Sequence, residues 1–228
     1  MSAAVVDDAE RTCPARVLIV EDHVLLADGL AGALRREGVI VDIADAVSYE
    51  TILDAARRVR PDVVLLDLVL GDVGLSVPII DELRQLGASV LILTGVTDPT
   101  LLGMCVEAGA IGLVSKGERF DVVLDHLLRA ARRQSGLHPL KRDHVLSSLH
   151  AHRAAERARL APFERLTARE RMVLGALMEG ASADEIAKSS FVSLATVRSQ
   201  IRSILEKLSV HSQVAAVALA HRARWEPC

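Results

Sequence analysis

At 228 residues, half of them hydrophobic, the chain can form one large or two small domains with a real core, and no apolar run reaches the roughly 18–20 residues of a membrane span. Three cysteines, Cys13, Cys105 and Cys228, are an odd number without metal-ligand spacing, which argues for free thiols and against a disulfide framework. The net charge of −3 is divided: residues 141–228 carry 14 Lys/Arg against 9 Asp/Glu, which leaves −8 for residues 1–140, so only the second half is suited to a polyanion.

The opening, MSAAVVDDAERT, is acidic where a secretory signal would be basic. We take residues 1–15 as a disordered tail and expect a cytoplasmic protein. From Arg16 short β-branched runs alternate with amphipathic stretches: RVLIV (16–20), VIVDIA (39–44), DVVLLD (62–67), SVLILT (89–94) and AIGLVS (110–115). The helical stretches between them repeat apolar residues at helical spacing, as in Leu26, Leu30 and Leu34 or Ile52, Ala56 and Val59, and end on glycines such as Gly38 and Gly87. Five strands alternating with helices make a parallel α/β sheet over residues 16–134. Their continuous apolar runs fit strands covered on both faces.

In such sheets ligands bind beyond the carboxyl ends of the strands. Those ends are Glu21 and Asp22, Asp67, Thr94 and Lys116. Three carboxylates, a hydroxyl and an ammonium are thereby expected around one cavity. Clustered carboxylates repel one another, and a hard divalent cation such as Mg²⁺ relieves that cost. Asp67 is then placed to attack a phosphoryl group, with Lys116 as a cation for the product and the Thr94 hydroxyl as a donor to one of its oxygens. Any one of these residues alone reads as an ordinary strand-end polar group, and Asp22 alone as a cap for a helix starting near His23. Their occurrence together at four strand ends is what points to chemistry.

The motifs VEDH (20–23), LLDL (65–68), LTG (93–95) and SKG (115–117) resemble the receiver domain of bacterial two-component response regulators over about residues 15–134. The resemblance implies a flavodoxin-like sheet of order 2-1-3-4-5 and Asp67 as phosphoacceptor. It also implies Mg²⁺ held by Asp22, Asp67 and the Val69 carbonyl with Glu21 acting through water, and a sensor histidine kinase as phosphoryl donor. Two positions depart from the family pattern: Leu113 stands where an aromatic switch residue is usual, and Gly71 where a proline commonly follows the phosphoacceptor.

At SGLHPLKRD the strand signals end, so residues 135–162 are read as a linker, partly helical since RDHVLSSLHAHRAAERARL lacks Gly and Pro. His144, His150 and His152 in it lack a fourth ligand for a metal and are read as a solvated helix face. Residues 163–228 are expected to be an all-helical domain. Thr167 with Glu170 and Ser182 with Glu185 have capping-box spacing, a further start follows at Ser193, and SSFVS is a connection of helix-turn-helix length. In the third helix Val197, Ile201, Ile204 and Leu208 repeat at core spacing and leave Arg198, Ser199, Arg202 and Ser203 on the other side, where arginines can reach major-groove base edges or the phosphates beside them, a face that on an isolated helix reads equally as a solvated basic one. This stretch, with LTARE, EIA, TVRSQIRSILEKL and AAVALA, resembles the LuxR-type helix-turn-helix of NarL/FixJ response regulators over about 163–222. The resemblance implies base contacts from Arg198, Ser199 and Arg202, phosphates near Lys188, Ser193, Thr196 and Lys207, and subunit pairing through the helix that starts after Ser212.

The expectation is a cytoplasmic transcription factor, not an enzyme beyond self-catalysed phosphoryl acceptance, that takes a phosphoryl group on Asp67 and binds double-stranded DNA as a homodimer, away from membranes. Leu113 motivates a second reading, a phosphorylation-independent regulator whose receiver serves dimerisation or ligand sensing. A third, an aspartyl-phosphate hydrolase, lacks its acid/base carboxylate, since Val69 stands two residues after Asp67.

Overall fold

In the computed structural model the described residues are 14–134 and 137–227, so the expected disordered tail lies outside them apart from Pro14 and Ala15. The chain divides into two compact units, Met1–His150 and Ala151–Cys228.

The first unit is built on five parallel strands, β1 (Arg16–Val20), β2 (Ile40–Ala44), β3 (Val63–Asp67), β4 (Ser89–Thr94) and β5 (Gly112–Ser115), in the order 2-1-3-4-5. Each of the five apolar runs has become a strand. The period of two in a strand divides the core into two layers. Val17, Ile19, Val63 and Leu65 meet Ala27, Ala31 and Leu34 of α1 (Val24–Arg36) and Val123, Leu127 and Ala130 of α5 (Phe120–Ala131). Leu18, Val20, Val64 and Leu66 face α2 (Tyr49–Val59), α3 (Ile80–Gln85) and α4 (Pro99–Ala108). Every residue of β3 and β4 is buried, as a strand covered on both faces requires. In α1 the buried stripe is Ala27, Ala31 and Leu34, so Leu26 and Leu30 of the expected repeat flank it half-buried.

The segment read as a linker is largely helix: α6 runs over Pro139–Glu164, and the division between the units falls inside it. Val145 belongs to the same buried cluster as Cys105 and Val106 of α4. A Cβ on Gly103 would collide with the Val145 carbonyl oxygen and come within 2.9 Å of Leu149 Cβ, so glycine is what lets the α6 backbone lie against α4. Cys105, the free thiol in this layer, is buried, and burial pushes its pKa up to about 12, which leaves it protonated and unreactive.

The second unit holds α7 (Ala168–Met178), α8 (Ala183–Ser189), α9 (Leu194–Lys207) and α10 (Gln213–Arg222). Both expected capping boxes form, Ser193 caps α9, Ser212 caps α10, and Gly180, at φ +90°, ends α7. Val197, Ile201, Ile204 and Leu208 are buried with Val173 and Leu174 of α7 and Ala216 and Ala220 of α10. The rings of Phe163 and Trp225 stack at 5.3 Å and bring the end of α6 and the segment after α10 into this core. Among the described residues no helix is long and apolar enough to cross a membrane.

One buried carboxylate fastens α7 to α9. Glu170 accepts from the Thr167 amide at 2.7 Å, from Ser203 Oγ at 2.7 Å and from Lys207 Nζ at 2.6 Å. Burial alone would push its pKa up, but the bonds from Lys207, Ser203 and Thr167 outweigh that and hold it at about 2. Because the folded pKa lies below the ordinary 4.5, the stabilisation is complete above about pH 5 and is lost as pH falls towards 2. We expect Glu170→Ala to lower stability by about 2 kcal/mol at pH 7, the scale of hydrogen bonds to charged groups, and to flatten that acid dependence. Urea unfolding of wild type and variant from pH 7 to 3 measures both effects, and parallel pH profiles would show that Glu170 is not the linkage.

Candidate functional site

The ends of β1, β3, β4 and β5 deliver five polar side chains to one end of the sheet. Asp67 ends β3 and is buried together with Glu21 and Thr94. Lys116, just past β5, stretches across to them: its Nζ lies 2.7 Å from Asp67 Oδ2, 2.7 Å from Glu21 Oε2 and 2.9 Å from Glu21 Oε1. Burial pushes the Asp67 carboxyl up and the nearby Glu21 charge adds to this, while the Lys116 bond only partly opposes them, so its pKa stands above the usual value. Burial would lower Lys116, but its bonds to Asp67 and Glu21 prevail and keep it firmly cationic.

Asp22 does not cap α1; that place is taken by His23, whose side chain makes no capping bond. The His23 ring instead bridges the neighbouring acids, with Nδ1 2.8 Å from Glu21 Oε1 and 2.8 Å from Asp22 Oδ1. Its hydrogen bond with Glu21, helped by Asp22, raises its pKa. Ligand atoms of Glu21, Asp22, His23 and Asp67 all lie within 4.8 Å of one another, so the acidic cluster can hold a cation, and its carboxylate oxygens suit a hard one.

The loop after β3 sets the backbone of this pocket. Val69 N donates to Asp67 Oδ1 at 3.3 Å, and a short antiparallel ladder pairs Val69–Leu70 with Gly74–Leu75. Ser76, fully buried, donates from Oγ to the Asp67 carbonyl at 2.7 Å and from its amide to the Leu68 carbonyl at 3.0 Å. A Cβ on Gly71, at φ +38°, would stand 3.1 Å from Asp22 Oδ2, so the glycine lets the loop close over that carboxylate. Sequence reasoning missed Ser76 and the part played by His23. The His23 signal lay in its adjacency to two acids, whereas the eight residues between Asp67 and Ser76 gave no sign of their contact.

The second candidate surface lies on α9. Arg198, Ser199 and Arg202 are exposed, and neither arginine has an ion-pair partner among the described residues. Ser193 and Thr196 share a hydroxyl contact of 2.8 Å at the start of the helix, and Lys188 of α8 is exposed and paired with Asp184. Ser203, expected on the outer side, turns inward to Glu170, and the ammonium of Lys207 is held there as well.

Residues 17–128 match the family of the response regulator receiver domain, and residues 164–220 match the luxR family of bacterial regulatory proteins. The chain is 31% identical to the transcriptional regulatory protein LiaR of Bacillus subtilis, over 91% of this chain and 97% of that protein. The chain is a response regulator. It is also similar to a nitrate/nitrite response regulator protein homolog of Haemophilus influenzae, at 32% identity over 90% of this chain and 95% of that one. A third relative is the response regulator protein VraR of Staphylococcus aureus, at 28% identity over the same shares of the two chains.

Two further features stand at the end of the sheet. The Thr94 hydroxyl accepts from the Val96 amide at 3.0 Å and makes no hydrogen bond to Asp67. Leu113 is buried in the layer that holds Leu68, Ile92 and α4. A residue so enclosed holds its place by packing, with no ring to swing between pocket and surface.

Because the Asp67 pKa is raised, folding favours its neutral form, and the ionised carboxylate costs stability as pH rises through the folded value. In the presence of a chelator, Asp67→Asn is therefore expected to melt above the wild type at pH 7, with the gap closing as both are taken below the ordinary carboxylate range. A variant that melts lower at pH 7 would mean that the Lys116 pairing outweighs burial.

Proposed function

We propose that the receiver accepts a phosphoryl group on Asp67 from a sensor histidine kinase, and that the second unit binds double-stranded promoter DNA as a homodimer in the cytoplasm. The observation that carries the first half is a buried carboxylate with Lys116 Nζ at 2.7 Å and two further acids beside it. A carboxylate oxygen of Asp67 attacks phosphorus as the bond to the donor imidazole breaks, and that electron pair leaves with the imidazole nitrogen. Asp22, Asp67 and the Val69 carbonyl are the groups that would hold Mg²⁺. Glu21, whose oxygens already face Lys116 and His23, suits an outer place reached through water. When bound, the cation offsets the charge of the incoming phosphoryl group. Lys116 can exchange its Asp67 contact for a phosphoryl oxygen, and Thr94 can turn its hydroxyl to another. The reaction is self-catalysed acceptance with no further turnover, so the protein is not an enzyme in the ordinary sense.

In the second unit Arg198, Ser199 and Arg202 take the base edges, with Ser193, Thr196 and Lys188 near phosphates. The hold of Glu170 on Lys207 gives that lysine the task of fixing α9 on α7. On α10, Val214 is 79% exposed and lies with Val217, Ala218, Leu177 and Ala181 along an apolar groove of about 420 Å³, which suits pairing with a second copy.

Treatment with acetyl phosphate and Mg²⁺ is expected to add one phosphoryl group by intact mass, and both Asp67→Asn and chelation should abolish the gain. No gain at any dose would favour the second reading, motivated by the buried Leu113, in which the receiver serves dimerisation or ligand sensing without phosphorylation. Arg202→Ala is expected to lower preference for the cognate DNA by about 10- to 100-fold, the range of a lost bidentate base contact, while weak non-specific binding persists. Undiminished preference in a competition shift assay would refute the assignment of Arg202.

A further inference from the structure

The chain has only five aromatic residues, and one of them, Phe191, is 95% exposed. It stands in the turn between α8 and α9, two residues before the Ser193 cap, with its amide bonded to the Lys188 carbonyl at 3.3 Å. Its φ of +54° lies in the left-handed region, where glycine or asparagine costs least and a bulky side chain is strained. Among the described non-glycine residues with positive φ, Arg60, Arg133, Ser209 and Arg224 are polar, and Phe191 alone is apolar. Folding therefore gains nothing evident from this ring: it buries almost none of its surface and sits on a backbone that disfavours it. A residue that stability opposes is explained by something outside the fold.

What lies outside follows from the neighbours. The turn leads directly into the N-terminal end of α9, the end that enters the major groove in a helix-turn-helix, and it adjoins Lys188, Ser193 and Thr196. We infer that Phe191 is a DNA-contacting residue whose ring packs on the deoxyribose of the backbone strand beside the major groove. This rests on the DNA-binding reading of α9. The ring carries no charge, so it adds affinity by apolar burial without displacing counterions, and its share of the binding does not weaken with salt. It also makes the approach of the turn to the backbone a matter of shape, which sets how deeply Arg198 and Arg202 enter the groove.

The test uses the full chain and a fluorescent 30-base-pair duplex enriched from a random-sequence pool by the wild-type protein. Phe191→Ala and Phe191→Gly are expected to bind that duplex roughly tenfold more weakly, the scale of losing burial of about half a phenylalanine side chain. The slope of log affinity against log salt should stay at the wild-type value, whereas Lys188→Ala should reduce it by about one. Phe191→Gly should melt at or above the wild-type temperature, since glycine accepts the left-handed turn; a structural role for the ring would make it melt lower. Full affinity in both variants, with Arg202→Ala still impaired, would overturn the assignment of Phe191 alone. Failure of the wild type to enrich any duplex would overturn it together with the reading of α9.

Discussion

The receiver depends on one electrostatic arrangement, the buried carboxylates Asp67 and Glu21 clasped by a single ammonium. Two acids at the floor of a hydrophobic sheet are costly in both desolvation and mutual repulsion. Lys116 relieves part of that cost by reaching both of them at 2.7 Å. It does not relieve all of it, because the Asp67 pKa still stands above the ordinary value. The pocket is thus left with unsatisfied affinity for further positive charge.

The strands supply the precision. Asp67 ends a strand hydrogen-bonded on both sides, between β1 and β4, so its Cα is fixed in the middle of the sheet. Ser76 then clamps the next turn by holding the Asp67 and Leu68 carbonyls from a buried position. The other members of the group are long or singly held: Lys116, which is partly exposed, and Thr94, whose hydroxyl answers only the Val96 amide. A rigid acceptor with adjustable partners can change its contacts without rebuilding the core.

Much of this was legible in the residue order, and the reasons are physical. Periodicity located all five strands, and strand ends in a parallel sheet must converge, so Glu21, Asp22, Asp67, Thr94 and Lys116 could be grouped before any coordinates. Caps are equally local, which is why Thr167, Ser182, Ser193 and Ser212 marked helix starts correctly. What failed was whatever depended on a partner distant in sequence. Ser203 lies on the outer side of α9 by helical spacing, yet Glu170, 33 residues earlier, draws it and Lys207 inward. The absence of Gly and Pro from residues 142–160 announced a helix but not that Gly103 would receive the α6 backbone.

The two functional surfaces differ in how their charges are balanced. In the receiver every acid of the cluster has a partner: Lys116 for Asp67 and Glu21, His23 for Glu21 and Asp22. On α9 the arginines have none, and the one cation that does, Lys207, is committed to holding the helix in place. Unpaired guanidinium groups on an exposed face cost little in water, because they remain hydrated. They also retain their full charge for an incoming polyanion, and no internal ion pair must be broken before binding. On the DNA-binding reading of α9 proposed above, Glu170 serves recognition indirectly: by capturing Lys207 and Ser203 it fixes the helix on its scaffold while Arg198 and Arg202 stay uncommitted. Removing that carboxylate would free a cation for DNA but loosen the element that aims the other two, and aim governs base recognition more than total charge does.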